Sequence, residues 1–141
     1  MRSMENTPVM SIDFLFHPPL VHFPIAFYFL ELVLLLFWAA SKDAGYRRFA
    51  LFSFRLGYLF MVAAAVAGLV DAGGWHKIQG PVRTHFLSAA AVFGLYTARA
   101  LYWRFAKEEG GRTQLFLILS ALLGNILVSL TGYFGGKLVF G

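Results

Sequence analysis

The four histidines, His17, His22, His76 and His85, and the carboxylate Asp71 are the candidate cofactor or metal ligands of this sequence. Imidazoles with a carboxylate are the ligand chemistry of a haem iron or a divalent cation. Cysteine is absent, which excludes disulfides, iron–sulfur clusters and thiolate chemistry. His17 and His22 belong to the stretch His17-Pro18-Pro19-Leu20-Val21-His22-Phe23-Pro24, at the mouth of the first long apolar run. Asp71 closes the second run, and His85 stands near the start of the third. The sequence has no Gly-rich phosphate loop followed by a basic residue, no HExxH and no nucleophile elbow. Independent catalytic activity is therefore not expected.

Composition says where such residues must sit. The 141 residues are 59% hydrophobic and only 13% charged, against about a quarter charged in a soluble domain. That deficit, with sixteen Phe, points to a membrane protein. Four apolar runs, at about 20–40, 49–71, 82–104 and 114–134, are each long enough to span a bilayer core as a helix. Short polar turns join them. The expected fold is all-α: an integral membrane four-helix bundle, up-down-up-down, over residues 17–141. Residues 1–16 are expected to form an N-terminal extension with a short interfacial segment at 12–16, and no cleavable signal is expected there. Pro24 is expected in the first turn of its helix, with His17 just outside it. The glycines Gly135 and Gly136 are expected to follow the last helix.

Charge sets the orientation. Lys42, Arg47, Arg48, Arg55, Arg99, Arg104, Lys107 and Arg112 lie at or near the turns after runs one and three. Arg2, Lys77, Arg83 and Lys137 lie on the other side. This asymmetry predicts those two turns in the cytoplasm and both termini outside. The net charge of +5 is loop charge meeting anionic lipid, and nucleic acid is not an expected partner. All four histidines and Asp71 then share the outer end.

At that end, His22 and His85 sit at helix N-termini, where the dipole favours a neutral ring. Ala26 and Ala89, one turn deeper, leave room beside each ring. The first and third helices of a bundle can lie diagonally opposite, so both imidazoles could ligate one b-type haem across the core, at matching depth. Arg83 and Lys77 would meet its propionates, and Asp71 would orient a ligand histidine or pair with a cation. One alternative is an outer-face divalent metal on His17, His22, Asp71 and His85. Another is no cofactor at all, in an accessory subunit of a larger membrane complex. Besides the lipid bilayer, membrane or periplasmic redox proteins are the partners the haem reading implies. His76 beside Trp75 reads as an ordinary interfacial residue.

Glu31 and two arginines raise a separate question inside the bilayer. A buried carboxylate there needs a cation, and Arg55 and Arg99 lie at similar depth. A Glu31–Arg55 or Glu31–Arg99 pair is expected. Ala64 and Gly68, four apart, make a close-packing face on the second helix.

Several of these residues form a recurring pattern. His17-Pro-x-x-Val21-His22-Phe23-Pro24-Ile25, Gly68-x-x-Asp71, His85 and Gly135-Gly136-x-Leu138-Val139 resemble the bacterial predicted-membrane-protein family called domain of unknown function 2231. The resemblance covers about residues 13–141. It implies a four-helix protein of the bacterial inner membrane and draws attention to His17, His22, Asp71 and His85. It implies no particular chemistry.

Overall fold

The computed structural model describes residues 17–73, 78–106 and 110–140, with side chains over 20–73, 78–106 and 110–138. It contains four helices: α1 (His17–Ser41), α2 (Ala44–Asp71), α3 (Pro81–Phe105) and α4 (Gly111–Phe140). Contacts run in opposite sequence order along each packed helix pair: Phe23 of α1 meets Phe60 of α2 while Phe37 meets Tyr46. Lys42 meets Gln114 while Tyr28 meets Asn125, and His85 meets Thr131 while Tyr102 meets Thr113. The bundle is therefore up-down-up-down, with α1 and α3 running the same way. α1 packs on α2 and on α4, and α3 on α4; the α2–α3 seam is the loosest.

α1 begins earlier than expected, at His17. Pro18 and Pro19 fall in its first turn, where a missing N–H loses no helical bond. Pro24 instead lies inside the helix. It leaves the Leu20 carbonyl without its usual donor, a defect that membrane helices tolerate when neighbours compensate. His17 is thus the first helical residue, and His22 stands beyond the first turn.

A tight turn joins α1 to α2. Lys42 adopts a left-handed φ of 60°, and Asp43 caps α2 by accepting from the Gly45 N–H at 2.7 Å. Pro81 opens α3 after Gly80, whose φ of 57° suits glycine. α4 continues through Gly135 and Gly136 to Phe140, so these glycines are helical rather than a closing loop.

α1, α2 and α4 are apolar and long enough to cross a membrane; α3 is of equal length to α1 but less apolar. Arg83, Arg99 and Arg104 lower its apolar character. The outer surface is hydrophobic, with Phe29, Phe49, Phe52, Leu59 and Phe105 all more than 60% exposed. In water such a surface would be untenable; facing lipid it is what a spanning bundle requires. The short segment at 12–16 lies outside the described residues.

Candidate functional site

The centre of the bundle is polar and closed. Glu31 of α1 and Arg99 of α3 are 0% and 1% exposed. Arg99 donates from Nη1 to Glu31 Oε2 at 2.9 Å and from Nη2 to Glu31 Oε1 at 2.7 Å, a bidentate fork. Its Nε donates to Ser120 Oγ at 2.9 Å, and Nη2 also reaches the Leu117 carbonyl at 3.3 Å. The guanidinium lies 5.2 Å from the Phe54 ring and 5.3 Å from the Tyr96 ring. All four helices contribute. Of the two partners the sequence offered Glu31, the structure selects Arg99. Arg55 is on the exposed face of α2.

Directly beside the ion pair, Tyr28 and Tyr96 stack with centroids 3.6 Å apart and planes 14° from parallel. The stack fits because glycines face it. A Cβ on Gly57 of α2 would come within 2.8 Å of Tyr28 Cε1, and one on Gly124 of α4 within 2.5 Å of Tyr96 Oη. The Tyr28 hydroxyl donates to Met61 Sδ at 3.4 Å. Asn125 Nδ2 donates to the Tyr28 carbonyl at 3.2 Å, tying α4 to α1.

This layer had a sequence signal that composition alone does not reveal. Tyr28 precedes Glu31 by three residues, and Tyr96 precedes Arg99 by three. On two helices running the same way, equal spacing brings tyrosine to tyrosine and acid to base at common depth. The glycine seats carry no such signal, since nothing in a lone glycine names the ring it will face.

The turn end is closed as well. Arg47 of α2 sits 5.9 Å from the Trp38 ring and 5.4 Å from the Trp103 ring, between α1 and α3. Lys42 Nζ donates to Gln114 Oε1 at 2.8 Å, and the Tyr102 hydroxyl donates to Thr113 Oγ1 at 3.3 Å. Thr113 and Gln114 are both buried.

The terminal end, where the histidines lie, is built differently. His22 is exposed, and so are Ala26, Phe29 and Leu30 on the same side of α1. His22 therefore belongs to the outward stripe of α1, and the space beside Ala26 is outer surface. His85 is half-buried against α4: its Nδ1 lies 3.2 Å from the Thr131 carbonyl oxygen. A Cβ on Gly135 would meet His85 Cε1 at 3.0 Å. The helical glycine thus lets this imidazole lie against the α4 backbone.

Depth separates the two rings further. Measured from the stacked tyrosines, His22 lies six residues outward on α1, about 9 Å, and His85 eleven residues outward on α3, about 16 Å. The matching depth expected of them is not found. Asp71 is exposed at the end of α2, and neither it nor exposed Arg83 takes part in an ion pair among the described residues. Ala64 is buried and Gly68 half-buried, as a packing face requires, but that face does not draw Asp71 into the core. No group of three His, Asp or Glu side chains able to hold a metal occurs among the described residues. The His17 side chain, Trp75, His76 and Lys77 lie outside the described residues.

No curated protein and no solved structure matches this chain significantly. Residues 14–141, nearly the whole chain, match the family described as predicted membrane protein, domain of unknown function 2231. The opening His-Pro stretch, the Gly-Gly segment of α4 and the four-helix architecture all lie within that match, and the chain belongs to this family.

Proposed function

We propose that the protein is an accessory subunit of a larger membrane assembly, without a prosthetic group of its own. The observation that carries this reading is the closed Glu31–Arg99 cluster. The acid, the base, Ser120 and the Leu117 carbonyl satisfy one another, and stacked rings fill the space beside them. Such a cluster fixes the register of four helices and leaves its ionised groups engaged with the protein itself. A visible spectrum of detergent-purified protein tests this. The reading expects no haem bands, and co-migration with a larger assembly after gentle solubilisation.

The competing proposal is a b-type haem held by His22 and His85, with Arg83 and Lys77 toward its propionates. The outward stripe that holds His22 and the depth difference between the rings weigh against it. Sharp b-type bands on reduction, lost in His22→Ala or His85→Ala, would overturn the accessory reading. A divalent ion bound with the protein and lost on substitution of Asp71 or His85 would instead favour the metal site of His17, His22, Asp71 and His85.

The same proposal includes orientation: both termini on the outer side of a bacterial inner membrane, with the turn end in the cytoplasm. The basic residues at that end, Lys42, Arg47, Arg48, Arg104, Lys107 and Arg112, support it. A reporter active only in the cytoplasm, fused after Gly141, should be silent.

A further inference from the structure

Arg55 stands alone on the outer surface. It is exposed, and it makes no hydrogen bond or ion pair among the described residues. On its face of α2 lie Phe52, Leu59 and Val62, at 61%, 63% and 36% exposure. It lies eight residues, about 12 Å, deeper than Arg47, and Phe49, 64% exposed, extends the apolar outer surface between them toward the turn end. An extended arginine side chain carries its guanidinium roughly 7 Å from Cα by bond lengths. Snorkelling toward the turn end thus stops about 5 Å short of the level of Arg47. A guanidinium left in hydrocarbon at this depth costs on the order of a few kcal/mol.

We infer that Arg55 is the docking residue for a transmembrane helix of a different protein, one that carries Asp or Glu at the same depth. The inference rests on the accessory-subunit reading and names its contact. Charge complementarity selects the partner: a guanidinium in a low-dielectric medium is best matched by a carboxylate, which it grips with two parallel hydrogen bonds. Among the described residues, a second copy of this chain does not supply one. Glu31 is held by Arg99, Asp43 caps α2, and Asp71 lies sixteen residues from Arg55 along α2, about 24 Å away. Two copies meeting through this face would bring two Arg55 side chains together.

The test uses the full chain in phosphatidylcholine vesicles, labelled through a cysteine appended after Gly141, since the chain has none. The probe is a labelled polyleucine helix with one central Glu, compared with central Gln and with Glu near one end. Energy transfer should show central Glu associating about tenfold more tightly than either control. Arg55→Leu, which suits lipid and leaves the Glu31–Arg99 cluster untouched, should abolish the preference; Arg55→Lys should retain part of it. Equal binding of Glu and Gln, or a preference that survives Arg55→Leu, overturns the inference. So does Arg55-dependent transfer between two labelled copies, which assigns the face to self-association. An Arg55 effect seen only with added phosphatidylglycerol overturns it in favour of a lipid phosphate. Haem bands in the purified protein would sink the accessory reading and leave a Glu preference standing; a clean spectrum with no Glu preference would sink the docking inference alone.

Discussion

The two ends of the bundle are organised on opposite principles. From the stacked tyrosines to the turn end, polar side chains engage one another across helices, with Arg55 the exception: Arg99 with Glu31 and Ser120, Lys42 with Gln114, Arg47 between two tryptophans. From the tyrosines to the terminal end, the notable polar groups lie at the surface. Among the described residues there, His22, Asp71 and Arg83 are exposed, while His85 is seated on a glycine of α4. Buried apolar residues thin out in the same direction; Ala64, Val92 and Val128 are the outermost buried hydrophobics on α2, α3 and α4 among the described residues. A membrane bundle gains little from apolar contact between helices, because lipid is as apolar as leucine. Its cohesion must come from close packing and satisfied polar groups, and here both concentrate in one half.

The sharpest way to break this contrast is to remove one half of the ion pair. Arg99→Met should destabilise the protein by about 3–5 kcal/mol, because Glu31 remains buried without its cation. Adding Glu31→Leu to Arg99→Met should recover much of the loss, since an apolar pair of similar volume removes the unpaired charge. Unfolding in mixed detergent micelles measures both. A single substitution with little effect would show that the cluster does not hold the bundle.

Glycine substitutions come next in size. Gly57→Ala and Gly124→Ala each drive a methyl into a stacked tyrosine, and each should cost about 1–3 kcal/mol. Gly94 and Gly132 have open space where a Cβ would stand. Alanine there should be neutral or stabilise by up to about 1 kcal/mol through helix propensity. If all four behave alike, the tyrosine seats are not what these glycines serve.

How much of this was legible follows the same division. Apolar run lengths located all four helices, because a spanning helix must be long and continuous. The buried pair was legible too, because a carboxylate inside a bilayer demands a cation; its choice of Arg99 follows from the matched Tyr28–Glu31 and Tyr96–Arg99 spacing. The terminal end was not. Topology brings His22 and His85 to one end, but whether they meet depends on helix rotation and rise. The exposed stripe of α1 decides the first, and the six- and eleven-residue distances from the tyrosine layer decide the second. Pro24 misled for a simpler reason: Pro18 and Pro19 already occupy the first turn, so a helix that starts at His17 must carry the third proline inside.

The smallest effect is the most diagnostic of the terminal end. His22→Ala should change stability by less than about 0.5 kcal/mol, as expected for an exposed side chain. His85→Ala should cost about 1 kcal/mol, the worth of one hydrogen bond and its packing on α4. Gly135 links the two ideas. A Cβ at Gly135 would stand 3.0 Å from His85 Cε1 and 3.3 Å from Nδ1, so Gly135→Ala pushes the imidazole back by a few tenths of an ångström and strains its contact with the Thr131 carbonyl. Its expected cost is of the same order, about 1 kcal/mol, partly offset by the better helix propensity of alanine. In a His85→Ala background the obstruction is gone and only the propensity gain remains. Gly135→Ala should therefore change sign between the two backgrounds, from destabilising to stabilising. Micelle unfolding of the four proteins in this cycle measures it directly. Additive effects would mean that the imidazole does not rest on Gly135, and that the Gly-Gly segment of α4 is present for some other contact.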